Sequence, residues 1–141
     1  MNLKDKVVLI TGSSKGIGKE TAIKFSELGA KVVITFHKDK KSGEETLREC
    51  EKNSEALLIK MNVTSTESIK FCLNKIIDKF KKIDILINNA GILIYKYFKE
   101  QTLEELEEQI KVNLIGTIKV TKLAFPYLEK NKESLIINIS S

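Results

Sequence analysis

Three glycines near the start of the chain have the spacing of a phosphate-binding turn. They lie in Thr11-Gly12-Ser13-Ser14-Lys15-Gly16-Ile17-Gly18, which follows the apolar run Val7 to Ile10 and begins an amphipathic segment. A strand, a glycine-rich turn and a helix start in this order let the backbone approach a pyrophosphate, which the N–H groups of the helix N-terminus can bind. The spacing is G-x-x-x-G-x-G rather than the more common G-x-G-x-x-G, so a glycine-rich turn without a ligand is the alternative.

Two later segments place polar residues directly after or among apolar ones. Asn88-Asn89-Ala90-Gly91 follows the strand-like run Ile83 to Ile87, and Asn113 lies within Val112 to Gly116. For the first segment the alternative is an ordinary turn, because Asn and Gly tolerate left-handed backbone. For Asn113 the alternative is a helix N-cap, a position that Asn favours.

The elements around these residues alternate between strand and helix. Short apolar runs occur at residues 7–10, 31–36, 56–61, 83–87 and 134–139, with helix-length segments between them. This alternation predicts an α/β fold with a parallel sheet. Because crossovers are right-handed and no hairpin signal is present, the predicted strand order is 3-2-1-4-5, a Rossmann-like doubly wound sheet that is truncated after strand 5. The order reverses between strands 1 and 4, so the glycine-rich turn and residues 88–91 should flank one crevice that binds a dinucleotide.

The first predicted helix has an apolar stripe. Ile17, Thr21, Phe25 and Leu28 recur at helical spacing, so we expect them to form its inward face. Gly29 stands where a left-handed C-cap is needed before the second strand.

Two later helix starts, one helix break and one long connection are also marked. Thr64-Ser65-Thr66-Glu67 and Thr102-Leu103-Glu104-Glu105 each have the pattern of a capping box. Pro126 lies inside the last predicted helix and lacks a backbone donor, so we expect it to kink or shorten that helix near Phe125.

The apolar connection Ile92 to Gln101 either lines a ligand cleft or covers the core.

Composition narrows the class of protein. The 141 residues are 42% hydrophobic, which suits one domain with a buried core. No apolar run approaches the roughly 18 residues of a membrane span, and the charged N-terminus lacks a signal-peptide core, so we expect a soluble, cytoplasmic protein with no membrane partner. The net charge of +5 comes from lysines interspersed with glutamates, and Arg48 is the only arginine, which argues against nucleic-acid binding. Cys50 and Cys72 lack metal-ligand spacing and lie on predicted helices, so we expect two reduced thiols and no metal site.

Taken in order, the motifs resemble those of the short-chain dehydrogenase/reductases. Members of this family carry TGxxxGIG, NNAG, an Asn in a helix beside the sheet and a Ser after the fifth strand, and the resemblance spans residues 7–141. It implies one incomplete NAD(P)-binding Rossmann domain over residues 1–141 and an oxidoreductase that reduces a carbonyl or oxidises an alcohol by hydride transfer. It also implies a small-molecule substrate, and a homo-oligomer if the protein is complete.

The resemblance assigns candidate site residues. In the family an Asn anchors a water relay and a Ser positions the substrate oxygen, which correspond here to Asn113 and Ser141. Asn62-Val63 stands where the family usually has Asp-Val at the adenine; Asn keeps an acceptor but loses the charge, so we expect weaker adenine recognition. The predicted cofactor-binding residues are Gly12, Ser14, Lys15, Gly16, Ile17, Gly18, His37, Lys38, Asn62, Val63, Asn89, Ala90 and Gly91.

Charges near the end of the second strand favour NADP(H) over NAD(H). An NAD-selective site usually has a carboxylate there, but the run is Ile34-Thr35-Phe36-His37-Lys38. Lys15 occupies a position where the family's NADP-dependent members often carry a basic residue, and with His37 and Lys38 it offers cations to a 2′-phosphate. For each cation separately, the alternative is a solvated surface residue.

The family's Tyr-x-x-x-Lys motif is expected after the Ser strand, and here the sequence stops at Ser141. Tyr95 and Lys99 have the spacing but precede Asn113. Without a tuned proton donor, acid–base catalysis loses a factor of about 10² to 10⁴, so we expect little or no turnover from these 141 residues alone. Two hypotheses remain: the N-terminal part of an NADP(H)-dependent short-chain oxidoreductase, or a non-catalytic dinucleotide-binding or partner-binding module whose fifth strand another chain completes.

Overall fold

The computed structural model describes residues 1–140, which form a five-stranded sheet flanked by five α-helices. Ser141, a predicted catalytic residue, lies outside the described residues. A 3₁₀ turn at Phe98–Glu100 precedes the fourth helix, and a π-helical turn at Lys111–Gly116 joins the fourth helix to the fifth. In chain order the elements are β1 (Val7–Ile10), α1 (Gly16–Glu27), β2 (Lys31–Phe36), α2 (Lys40–Glu51), β3 (Ala56–Lys60), α3 (Thr66–Phe80), β4 (Ile85–Asn88), α4 (Leu103–Ile110), α5 (Thr117–Leu128) and β5 (Leu135–Asn138).

The strand order is β3-β2-β1-β4-β5 and all pairs are parallel, which confirms the predicted Rossmann-like fold. In the centre of the sheet, Ile10 of β1 pairs with Ile34 of β2 on one side and with Ile87 of β4 on the other. The strand order therefore reverses between β1 and β4, where parallel α/β sheets form their ligand crevice. Within residues 1–140, no helix is both long and apolar enough to cross a membrane.

The sheet has a hydrophobic core on each face. Along β1, Val7 and Leu9 pack with residues of α3 and α5, whereas Val8 and Ile10 pack with residues of α1 and α2. All four side chains are fully buried, which explains why β1 is an uninterrupted apolar run rather than an alternating one. Within the described residues β5 is an edge strand, and Leu135 at its start is 45% exposed.

The inward face of α1 differs in part from the prediction, because Phe25 packs against the core as expected but Ile17 and Leu28 do not. Ile17 and Leu28 are 66% and 50% exposed. The buried residues of the helix are instead Gly18, Ala22 and Ser26. Gly18 packs against the glycine-rich turn, and Ala22 lies in the core with residues of β1 and β2.

The ends of the helices largely follow the sequence. Gly29 has a left-handed φ of +80° after α1, and α4 starts with the predicted capping box between Thr102 and Glu105. The capping box predicted at Thr64 is wrong by one residue, because Ser65 caps α3 by accepting from the Ser68 N–H.

Pro126 does not shorten α5 near Phe125, because the helix continues to Leu128. Ala124 and Leu128, on either side of the proline, are buried in the core. This packing offsets the backbone hydrogen bond that proline cannot donate.

Both cysteines lie on helices, as predicted, and both are free. Cys50 on α2 and Cys72 on α3 are buried in the cores on opposite faces of the sheet. Burial raises the pKa of the Cys72 thiol to about 12 and that of the Cys50 thiol to about 11, from an ordinary value of 9.0. The two thiols therefore stay protonated at neutral pH.

The buried thiols make the fold less stable in mild alkali. Above the ordinary thiol pKa the unfolded chain releases a proton that the folded chain keeps, so the free energy of unfolding falls by about 1.4 kcal/mol per pH unit for Cys72. Urea unfolding of the reduced protein between about pH 8 and pH 10 should show this decline, and Cys72→Ala should reduce its slope by about half, because the Cys50 thiol still contributes. An equal slope in C72A and the parent protein would contradict the assignment.

Candidate functional site

The N-terminus of α1 has the features of an anion site. The helix begins at Gly16, with no side-chain cap and no acidic residue in its first turn. Its N-cap residue, Lys15, is extended, with a φ of −155°. The N–H groups of the first turn and the positive end of the helix dipole are thus suited to a negatively charged ligand.

Each glycine of the turn meets a different requirement. Gly12 and Gly16 have left-handed φ values of +62° and +59°. A Cβ at Gly12 would also lie 2.8 Å from Ala90 Cα. Gly18 has an ordinary φ, but a Cβ there would lie 2.7 Å from the Gly12 carbonyl oxygen and 2.8 Å from Ser13 Cα. Gly12 and Gly16 therefore allow a left-handed backbone, and Gly12 and Gly18 allow neighbouring backbone atoms to approach closely.

Hydrogen bonds join the glycine-rich turn to residues 88–91. The Thr11 hydroxyl oxygen accepts from the N–H groups of Asn89 and Ala90, at 3.0 and 2.9 Å. In return the Asn89 side-chain amide donates to the carbonyl oxygens of Thr11 and Gly12, at 3.0 Å each. The two motifs that are far apart in sequence form one unit, as the strand order predicted.

A second hydroxyl, which the sequence analysis missed, joins the turn to β2. The Gly12 N–H donates to Thr35 Oγ1 at 3.0 Å, and Thr35 Oγ1 donates to the Ile10 carbonyl oxygen at 3.2 Å. The Ser13 hydroxyl accepts from the Thr35 N–H at 3.0 Å. Thr35 is 1% exposed, so this network is a buried part of the site.

A pocket of about 850 Å³ lies beside these turns. Two predicted residues, Gly16 and Gly18, are not part of its lining; Gly18 instead packs beneath the turn. The predicted residues that do line it are Gly12, Ser14, Lys15, Ile17, His37, Lys38, Asn62, Val63, Asn89, Ala90 and Gly91. Their binding roles remain predictions. Within residues 1–140, no three His, Cys, Asp or Glu side chains are grouped as metal ligands would be.

The opposite wall of the pocket was not predicted. It includes Glu104, Glu107 and Glu108 of α4, followed by Lys111 and Val112 of the π-helical turn. The capping box located the start of α4 in the sequence, but no sequence pattern places that helix across the crevice from α1. Its position depends on the connection from residue 92 to residue 101.

A further carboxylate in the pocket lining is Asp39, which directly follows His37 and Lys38 in the sequence. It accepts from the Ser42 N–H at 3.0 Å and from the Ser42 hydroxyl at 2.8 Å, which makes it the N-cap of α2. These two bonds, and then the charge of Lys15, lower the pKa of Asp39 below its ordinary value. Asp39 is therefore an ionised group that the N-terminus of α2 already engages.

The predicted adenine acceptor, Asn62, already has partners in the chain. Its Oδ1 accepts from the N–H and the hydroxyl of Thr64, at 3.0 and 2.9 Å. Both lone pairs of that oxygen are thus engaged. Its contact with adenine stays a prediction, and the side-chain group without a partner in the described chain is the amide nitrogen.

Asn113 lies in the π-helical turn, so the alternative that it caps a helix is wrong. Its Oδ1 accepts from the Ile92 N–H at 2.8 Å, and its Nδ2 donates to the Ile92 carbonyl oxygen at 2.9 Å. Gly91 makes room for this contact, because a Cβ there would lie 3.3 Å from Asn113 Oδ1. Single π-helical turns occur frequently at functional sites.

The connection from residue 92 to residue 101 does not cover the core. Leu93, Tyr95, Tyr97 and Phe98 are 77%, 95%, 75% and 81% exposed. The alternative that it covers the core is therefore wrong. Ile92, at its start, lines the pocket, and a role for the rest in a substrate cleft stays a prediction.

A doubly wound parallel sheet with a glycine-rich turn and an asparagine-rich turn at its switch point is the architecture of a dinucleotide-binding domain. A family profile described as short chain dehydrogenase matches residues 6–141. The chain belongs to the short-chain dehydrogenase/reductase family.

Individual relatives agree with this assignment. A 3-oxoacyl-(acyl-carrier-protein) reductase of Thermotoga maritima is 36% identical over the whole chain, which covers 57% of that protein. Mouse dehydrogenase/reductase SDR family member 7 is 33% identical over 99% of the chain, which covers 42% of that protein. A 7α-hydroxysteroid dehydrogenase, solved with NADH and a 7-oxo bile acid, superimposes with a TM-score of 0.90 and 31% identity, over 99% of this chain and 55% of that one. The chain thus spans about half the length of these relatives.

Proposed function

We propose that this chain forms the NADP(H)-binding part of an oxidoreductase that transfers hydride between the nicotinamide and a small carbonyl or alcohol compound. The observation that carries the proposal is the unit formed by the N-terminus of α1 and residues 89–91, joined through Thr11 beside one pocket. The bound cofactor would supply or accept the hydride. The residues of this chain bind and orient it.

The phosphates are assigned to the glycine-rich turn. The left-handed backbone of Gly12 and Gly16 and the uncapped first turn of α1 allow main-chain N–H groups to bind a pyrophosphate. Asn89, Ala90 and Gly91 line the pocket beside that turn and are assigned to the riboses. The bonds from Asn89 to the glycine-rich turn hold the two segments together.

The preference for NADP(H) rests on the charges of this chain. Lys15, His37 and Lys38 are exposed side chains that line the pocket, and they would surround a 2′-phosphate. Asp39 opposes this preference with its negative charge, but its oxygens are engaged at the N-terminus of α2. Two related structures are described with NADH or as NADH-dependent, so the preference has to be measured.

For the chemical step, we assign to Asn113 the role of holding the backbone at Ile92, where we expect the substrate cleft to begin. Its two bonds to Ile92 fix the backbone where the chain leaves β4. Tyr95 and Lys99 are not assigned as the proton donor pair, because Tyr95 is 95% exposed and the Lys99 ammonium lies over the Tyr97 ring, 6.0 Å from its centre.

The second candidate function is a non-catalytic dinucleotide-binding or partner-binding module. One observation favours it: within residues 1–140, β5 pairs with β4 on one side only, and its Leu135 is 45% exposed. Such a strand edge can pair with another chain. This function predicts cofactor binding without turnover.

The experiment that tests the proposal uses the complete polypeptide that the cell makes. NADPH and NADH are titrated into it while the fluorescence of the reduced nicotinamide is recorded, and oxidation of the bound NADPH is then followed with a panel of small ketones and aldehydes. We expect NADPH to bind more tightly than NADH and to be oxidised by at least one compound. Binding without oxidation favours a dinucleotide-binding module, and no binding of either cofactor refutes the proposal and leaves only the partner-binding module.

Asp39 offers a direct test of the cofactor preference. Asp39→Asn keeps a side-chain oxygen for the Ser42 N–H but removes a negative charge from the pocket, so we expect the affinity for NADPH to rise by about threefold to tenfold. The affinity for NADH, which has no 2′-phosphate, should change much less. Equal changes in the two dissociation constants would show that no 2′-phosphate lies near Asp39.

A further inference from the structure

Helix α2 lies unusually close to the sheet near the pocket. Gly43 makes this possible, because a Cβ there would lie 2.9 Å from Leu58 Cδ1 and 3.5 Å from Phe36 Cδ1. One turn later, Thr46 is fully buried. Its hydroxyl lies 2.9 Å from the carbonyl oxygen of Ser14, in the glycine-rich turn, and 3.1 Å from that of Ser42.

A hydroxyl has one hydrogen to donate, so the two acceptors compete. The Ser42 carbonyl lies four residues before Thr46 in α2, where the helical backbone N–H supplies its regular donor. Ser14 lies in the turn before α1, where no helical or strand pattern supplies a donor, and its carbonyl is the nearer acceptor. The hydrogen bond to Ser14 is therefore the one that Thr46 contributes to the structure.

We infer that Thr46 is a positioning residue for cofactor binding, which holds the glycine-rich turn against α2 through the Ser14 carbonyl oxygen. Ser14 directly precedes Lys15, the N-cap of α1, so its placement sets where the first turn of α1 meets a phosphate. The same helix carries Asp39 at its N-terminus, directly after Lys38. One buried hydroxyl thus fixes the separation between the pyrophosphate side and the 2′-phosphate side of the pocket.

This inference rests on the proposed function, and it applies to NADPH and NADH alike. Main-chain donors bind a phosphate more tightly if their positions are held before binding, because ordering a turn during binding reduces affinity. Without the Thr46 hydroxyl, the Ser14 carbonyl loses its buried donor and the turn can relax away from α2.

The test compares Thr46→Val, which has nearly the same shape without a hydroxyl, with Thr46→Ser, which keeps the hydroxyl. Both are made in the complete polypeptide and titrated with NADPH at a temperature where circular dichroism shows them folded. We expect the dissociation constant to rise about tenfold in T46V and to stay within about twofold of the parent in T46S. If a substrate is known, kcat at saturating NADPH should be unchanged in T46V.

The outcomes separate this inference from the proposed function. A parent protein that binds neither cofactor refutes the proposed function. A parent that binds NADPH, together with a T46V variant that is less stable but binds it equally well, overturns the positioning role and leaves Thr46 a purely structural residue. If T46V does not fold, Thr46→Cys replaces it, because a thiol is a weaker donor of similar size; an unchanged dissociation constant there overturns the inference too.

Discussion

Replacing Gly18 by alanine should weaken cofactor binding by about a hundredfold, equivalent to ~2.7 kcal/mol. The added Cβ would meet the Asn89 side-chain amide, the Gly12 carbonyl oxygen and Ser13 Cα. Two of these contacts are backbone atoms, so the turn itself has to move, and the N–H groups of α1 move with it. Overpacking of this kind also reduces stability by about 1 to 3 kcal/mol. The measurements are NADPH titration and urea unfolding of the same preparation.

The matched control for this prediction is Gly29→Ala at the other end of α1. Gly29 has a φ of +80°, so alanine is strained there, but its Cβ would lie 3.6 Å from the nearest atom, Lys4 Cα. We expect a loss of stability of about 1 to 2 kcal/mol and an unchanged dissociation constant for NADPH. If G18A and G29A weaken binding equally, the effect of Gly18 is a loss of general stability and not of local geometry.

The second large effect is expected at Thr11. Thr11→Val removes the oxygen that accepts from the N–H groups of Asn89 and Ala90, and Thr11 is 1% exposed. Two amide donors are then left without a partner, so the free energy of unfolding should fall by about 2 to 4 kcal/mol and the affinity for NADPH should fall with it. Thr11→Ser keeps the oxygen and should recover most of both losses. Urea unfolding measures the loss of stability, and NADPH titration measures the loss of affinity. If T11V and T11S lose equal stability and equal affinity, the hydroxyl is not the cause.

The sheet could be predicted because its strands carry their own signals. β1 is a fully buried run followed directly by a glycine-rich turn, and β4 ends at Asn88, the first residue of the NNAG motif. Local sequence therefore indicates both strands and the edge of the sheet at which their motifs meet. The rule that crossovers are right-handed then leaves a few strand orders, and the dinucleotide-binding pattern favours 3-2-1-4-5 among them. The structural roles of Gly12, Gly16 and Gly18 could also be predicted, because the backbone geometry at those positions admits only glycine.

The features that sequence reasoning missed depend on which elements meet in space. The inward face of α1 was assigned to Ile17, Thr21, Phe25 and Leu28; Phe25 does pack against the core, but the fully buried positions of the helix are Gly18, Ala22 and Ser26. Thr35 and Thr46 are single hydroxyls in otherwise ordinary elements, and each acquires its role from a carbonyl or amide more than twenty residues away. Sequence periodicity does not report such pairs.

The parallel arrangement also determines the order in which this sheet can fold. Asp84, just before β4, accepts a hydrogen bond from the Val7 N–H of β1 across 77 residues of sequence. A ribosome takes roughly 4 to 15 s to add that much chain, so β1 can pair with β2 long before its other neighbour exists. During synthesis β1, the middle strand of the five described, is an exposed apolar edge, and the two turns that flank the crevice come together only when residues 85–91 have been added.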